Sequence, residues 1–172
     1  MKKLLTILAL AIPLLTTTVV AATPEQTTKA LDVFFAKYSG KKGYTTMELT
    51  SELLKAAYNS PSNDSNKELG EMLEGVERMR IVIAEKSSAE FTVDVLDLPG
   101  KTDLKLVTNV NENGQKIKMY YKPAVTASKG GKQNAEFLMF ILSVKDNITI
   151  HITGDFDLKN VTKLGDLSIK SK

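Results

Sequence analysis

No cysteine occurs anywhere in the 172 residues. Disulfides, thiolate nucleophiles and thiol-based metal sites are therefore excluded, as is a lipid-modified cysteine behind a leader. Histidine is nearly as scarce. His151 is the only one, so any metal site would need oxygen ligands and any imidazole chemistry rests on a single side chain. After residue 22 no apolar run is long enough to cross a bilayer as a helix. Excess charge is small as well. The formal charge is +3, but Lys2 and Lys3 belong to the first 22 residues, and residues 23–172 carry 21 basic against 20 acidic groups. Without a basic surplus, a generic nucleic-acid or anionic-membrane function loses its main support.

What is present begins with a targeting pattern. Met1-Lys2-Lys3 precedes an apolar stretch from Leu4 to Val20, and Ala21-Ala22 follow. A basic start, an apolar centre and small residues predict a secretory signal peptide over residues 1–22 and a mature start at Thr23. The expected location is outside the cytoplasm, either periplasmic or extracellular. An uncleaved anchor fits less well, because Pro13 and several threonines interrupt a run already short for a span. The remaining 150 residues, 23–172, suffice for a single domain with its own core.

Hydrophobic spacing then predicts the elements. Thr23-Pro24-Glu25-Gln26 has the form of a capping box with proline in the first turn, and Leu31, Phe34, Phe35 and Tyr38 make a helical apolar stripe closed by Ser39-Gly40. Tyr44–Leu49 reads as a strand and Ser51–Tyr58 as a helix, with one helix over 46–58 as the competing reading. Ser65 and Glu68 open a short helix ended by Gly75, and residues 76–85 form a strand with Met79, Ile81 and Ile83 on one face. Ser87 and Glu90 have capping-box spacing for a helix that turns Phe91, Val95 and Leu98 inward.

Asn113-Gly114 is a strong hairpin signal. Pairing Glu112 with Gln115 sets Val110 against Ile117, Thr108 against Met119 and Leu106 against Tyr121. The stretch Ala135–Leu167 is expected to organise the fold. Phe137–Val144 is apolar except for Ser143, which implies burial on both sides of a sheet. A two-residue turn at Asp146-Asn147 would pair Leu142 with His151 and Ile141 with Ile152, so that Ile148, Ile150 and Ile152 share a face with Met139 and Ile141. His151 then shares the other face with Leu138, Phe140 and Leu142. Asp155 or Asp157 would cap a last helix carrying Leu158, Val161 and Leu164. The fold class is α+β: a mainly antiparallel sheet of about five to six strands with helices packed on one face.

Two stretches carry a resemblance. Residues 34–43, Phe-Phe-Ala-Lys-Tyr-Ser-Gly-Lys-Lys-Gly, and residues 150–158, Ile-His-Ile-Thr-Gly-Asp-Phe-Asp-Leu, resemble the domain-of-unknown-function family 4252. Its members are small exported proteins, mostly from Bacteroidota. The resemblance implies an exported α+β protein over nearly all of residues 23–172, and it implies no activity and no functional residue.

Among candidate sites, one sheet face collects Lys105, Lys116, Lys118, Tyr120 and Lys122, with Arg78 and Arg80 as additions. Such a face could hold an acidic ligand or an acidic surface of an envelope protein. It also matches the solvated side of an antiparallel sheet, where edge lysines discourage strand addition. Asp155 and Asp157 lack the further spaced ligands of a calcium loop, so no metal and no cofactor is implied. Ser128-Lys129-Gly130-Gly131 lacks the ending of a phosphate-binding loop. No catalytic set emerges, and the leading expectation is an exported, non-enzymatic binding or accessory module of the cell envelope. The alternatives are a small hydrolase using His151 with Asp155 or Asp157, and a self-associating protein whose second copy, as a homodimer, covers Phe140 and Leu142.

Overall fold

A computed structural model describes residues 23–58, 70–86, 88–112, 114–126 and 132–163. The expected signal peptide, the Ser65 helix start, the 128–131 loop, Ser87 and Leu164 lie outside these. Among the described residues there are eight strands: β1 (Tyr44–Thr50), β2 (Val76–Ala84), β3 (Lys105–Glu112), β4 (Gln115–Lys122), β5 (Val125–Thr126), β6 (Lys132–Gln133), β7 (Ala135–Leu142) and β8 (Asn147–Gly154). Six of them form one antiparallel sheet in the order β1-β2-β8-β7-β4-β3, and β5-β6 makes a small separate ribbon. The helices are α1 (Pro24–Tyr38), α2 (Ser51–Tyr58) and α3 (Ala89–Asp97), the last running into a 3-10 turn at Leu98–Lys101. Residues 70–72 and 158–163 are also helical. The architecture is α+β.

The organising hairpin holds the middle of the sheet. β7 and β8 are the two central strands, and Phe137 through Ile141 are buried on both faces in alternation. An uninterrupted apolar run has no solvated side to offer, so it takes a position with neighbours all round. The loop differs from expectation. Leu142 pairs with Asn147, not His151, and the connection is the four residues 143–146. Polar side chains explain it: Ser143 Oγ accepts from the Lys145 and Asp146 amides and donates to the Asp146 carbonyl, while Asn147 Oδ1 accepts from the Ser143 amide. These bonds hold a wider loop and leave Val144 on the surface. Because the register moves by an even number of residues, every side chain keeps its expected face.

The β3–β4 hairpin is corrected in a way that matters more. Glu112–Gln115, Val110–Ile117 and Thr108–Met119 pair as expected, but Leu106 then faces Tyr120 and Lys105 faces Tyr121. A bulge at Val107 inserts one residue, and one residue exchanges the faces of everything before it. Leu104 therefore packs on the α1 side, with Leu98 and Tyr120.

Helices cover both faces, not one. On the first, Leu31, Phe34, Phe35 and Tyr38 of α1, with Phe91 and Val95 of α3, lie over Val82, Ala84, Tyr120, Leu138 and Phe140. On the second, Leu54 of α2, Leu73, Phe156 and Val161 cover Met79, Ile117, Met119, Phe137, Met139, Ile141 and Ile152. Phe140 is thus covered by the chain's own helices rather than by a second copy, and Phe35 of α1 packs beside His151.

Local signals start the helices. Thr23 Oγ1 accepts from the Gln26 amide and Gln26 Oε1 accepts from the Thr23 amide, completing the expected box. The α3 cap is Ser88, whose Oγ accepts from the Phe91 amide, one residue later than expected. Asp157 caps residues 158–163 by accepting from the Lys159 amide at 2.8 Å. Two glycines make a close crossing where β2 begins and β8 ends. Gly75 has φ +79 and Gly154 φ +154, and a Cβ on Gly154 would stand 2.3 Å from the Gly75 carbonyl oxygen. Only glycine fits there.

Candidate functional site

The five residues expected to form one basic face do not share one. The bulge sends Lys105 to the face opposite Tyr120. Tyr120 is buried against Phe140, with ring centroids 5.7 Å apart. Lys122 is largely enclosed and lies 3.0 Å from Asp103 and 3.8 Å from Glu136, directly opposite it on β7. Only Lys116 and Lys118 keep an open position together, at the far end of β4. Arg78 lies 3.9 Å from Glu48.

Arg80, Glu136, His151 and Lys122 belong instead to a polar chain beneath α1. Arg80 donates from Nη1 to Asp32 Oδ1 at 2.6 Å, and its Nη2 lies 3.1 Å from His151 Nδ1. A guanidinium has no acceptor, so Nδ1 must be the unprotonated nitrogen. The proton then sits on Nε2, which faces Glu136 Oε2 at 3.4 Å. The chain continues through Glu136 and Lys122 to Asp103, whose Oδ1 accepts from Thr27 Oγ1 and whose amide donates back to it, both at 2.8 Å. It begins and ends on α1, at Asp32 and Thr27, and so fastens that helix across four strands.

This arrangement gives His151 a structural role. Burial lowers its pKa; Glu136 acts in the opposite direction, and Arg80 adds to the lowering. Both ring nitrogens are occupied, and the residue is 2 % exposed. A general base needs a free lone pair aimed at a substrate proton, which this imidazole lacks. Neither Asp155 nor Asp157 is its partner, and Asp157 is engaged as a helix cap. The hydrolase expectation therefore has no catalytic pair in these residues. Arg80 is also enclosed: its Cζ sits 4.4 Å from the Phe35 ring centroid, and its Nε has no hydrogen-bond partner among the described residues.

Concave surface lies elsewhere. A cleft of about 630 Å³ runs between α1 and the α3 to 3-10 segment. Its α1 wall is Gln26, Lys29, Ala30, Val33, Phe34 and Lys37, the positions that helical spacing brings to one side. Asp94, Leu98, Gly100 and Lys101 form the other wall. The floor is apolar and three lysines stand on the rim. Asp94 is held by Lys37 and accepts from the Tyr38 hydroxyl at 2.6 Å. Burial favours its neutral form, but those hydrogen bonds outweigh it and hold the carboxyl below its usual range. The same contacts with Asp94 and Glu90 raise the Lys37 pKa. Burial and Asp94 push the Tyr38 phenol upward. Asp94 therefore stays anionic and engaged, Lys101 pairs with Asp97 at 2.5 Å, and Lys29 makes no ion pair among the described residues.

Sequence reasoning missed this cleft. The signal was present in Ala30 and Val33, which widen the apolar stripe of α1 beyond what its buried face uses; Val33 is 61 % exposed. A second, smaller hollow of about 280 Å³ lies beside β1, between Asp32, Phe35 and Ser39 of the α1 end and Thr46, Glu48 and Arg80.

The chain is thus an α+β sheet with helices on both faces and an open cleft between α1 and α3. The chain belongs to a family described as a domain of unknown function (DUF4252), whose family model matches residues 38–164. The match takes in Tyr38–Gly43 and Ile150–Leu158, but it starts at the last residue of α1 and so is shorter at that end than the resemblance implied. No curated protein matches the chain.

Proposed function

We propose that this protein is an exported, non-enzymatic binding module of the cell envelope that takes an anionic ligand with an apolar part in the cleft between α1 and α3. The cleft carries the reading. It joins an apolar floor of Ala30, Val33, Phe34 and Leu98 to a rim with Lys29, Lys37 and Lys101. Apolar walls with a few placed charges suit a ligand whose tail is desolvated while its head stays at the rim. Export is supported by the basic and apolar start of the sequence and by the small residues before Thr23.

Two measurements test the proposal. Laurate, used as the probe, is expected to shift the Val33 and Leu98 methyl resonances of the purified protein. Replacing Lys29 and Lys101 together by glutamate should weaken that binding about tenfold or more, since two attractive charges become repulsive. Equal binding of a cationic amphiphile of the same length, or unchanged laurate binding by the double variant, would overturn the cleft. Mass spectrometry of the envelope fraction should find an N-terminus at Thr23; the intact chain in the cytoplasm would overturn the export part.

A further inference from the structure

The sheet ends in two unlike edges. β3 is blunted by its bulge and by Lys105, devices that deter strand addition. β1 has neither. Its seven residues, Tyr-Thr-Thr-Met-Glu-Leu-Thr, pair with β2 without a register shift and contain no proline and no lysine. Among the described residues, no backbone hydrogen bond from Thr45–Leu49 goes anywhere but to β2, so every second peptide group on the outer side is open. Met47 is 42 % exposed.

We infer that β1 is the docking edge for a second copy of this chain, which pairs antiparallel about Met47 and joins the two sheets into one of twelve strands. The sequence of the edge selects both the partner and the register. Opposed residues in a ladder share a face, so a two-fold pairing can centre only on a residue, not between residues. Centring on Met47 uses all seven residues of β1: Met47 meets Met47, Thr46 meets Glu48, Thr45 meets Leu49 and Tyr44 meets Thr50. Centring on Glu48 sets carboxylate against carboxylate, which is destabilising. Centring on Thr46 leaves Leu49 and Thr50 unpaired. The favoured register also closes the two exposed Met47 side chains over each other, beside Thr45 and Leu49.

The inference is independent of the α1–α3 cleft, and the absence of cysteine makes it directly testable. Met47→Cys introduces a lone thiol at the centre of the two-fold, where opposed Cα atoms approach about 5 Å, within disulfide reach. Mild oxidation should link Met47→Cys chains into dimers and leave Asn109→Cys, on the blunted edge, unlinked. Sedimentation between about 1 μM and about 1 mM should show a reversible dimer. Met47→Lys should weaken it about tenfold or more while circular dichroism and laurate binding stay unchanged. A monomer throughout that range, a dimer indifferent to Met47→Lys, or equal linking of the two cysteine variants would overturn the inference.

Discussion

The two faces of the sheet are built from different chemistry. Under α1 and α3, aromatic rings alternate with polar groups, and the buried polar residues of the sheet, Arg80, Asn147, Thr149 and His151, all point to that side. The opposite face, apart from Phe137 and Tyr121, is aliphatic and methionine-rich, with Met79, Met119, Met139, Ile117, Ile141 and Ile152 buried and Ile81, Ile148 and Ile150 only partly covered. Apolar packing alone would let a helix slide by small steps, because its contacts are not directional. A charged chain anchored at Thr27 and Asp32 allows one seat, and desolvation sets its cost. The first face thus holds α1 in position, and with it one wall of the cleft. The second face supplies adaptable packing, for which methionine and isoleucine suffice.

The largest expected effect tests packing across that divide. Phe140→Ala, under the helices and 1 % exposed, should cost roughly 3–5 kcal/mol in denaturant unfolding. Ile150→Ala, half-covered on the other face, should cost less than half as much. Equal losses would erase the contrast. Next comes the polar chain. Lys122→Met leaves Glu136 and Asp103 without their shared cation and should cost about 3 kcal/mol. Adding Glu136→Gln should restore part of that loss, and the coupling between the two changes is the reading. Simple additivity would show that Lys122 and Glu136 do not act together.

The smallest effect is in pH dependence. Burial depresses the His151 pKa in the folded protein, so the unfolded chain binds the proton more readily. Its contribution is fully present above the unfolded value of about 6.5 and is lost as the pH falls through the folded one. His151→Gln should therefore flatten the fall in stability below about pH 6.5. A variant whose profile parallels the parent's would show that the imidazole does not titrate on unfolding.

Much of the architecture was legible from periodicity. The Phe137–Val144 run announced a central strand, alternation placed the isoleucines together and His151 apart, and Thr23 with Gln26 marked the first helix. The candidate site was not legible. A lysine ladder read at constant alternation looked like one basic surface, yet a single extra residue at Val107 moved Lys105 away, and Asp103 and Glu136 drew Lys122 into the interior. Asp103 lies 19 positions before Lys122 and Glu136 lies 14 after it, separations that no local pattern connects.

The sequence by itself determined the missing thiol chemistry, the face on which each central side chain lies, and the caps that begin α1 and the segment after Asp157. These depend on residue type and on spacings of two to four positions, which act within one element. Only the tertiary structure decided the four-residue loop after Leu142, the bulge in β3, the helices on the second face, and the partners of His151. Those follow from contacts between elements far apart in the chain. There, a few hydrogen bonds at Ser143 and Asn147, or one inserted residue, outweigh the local signal.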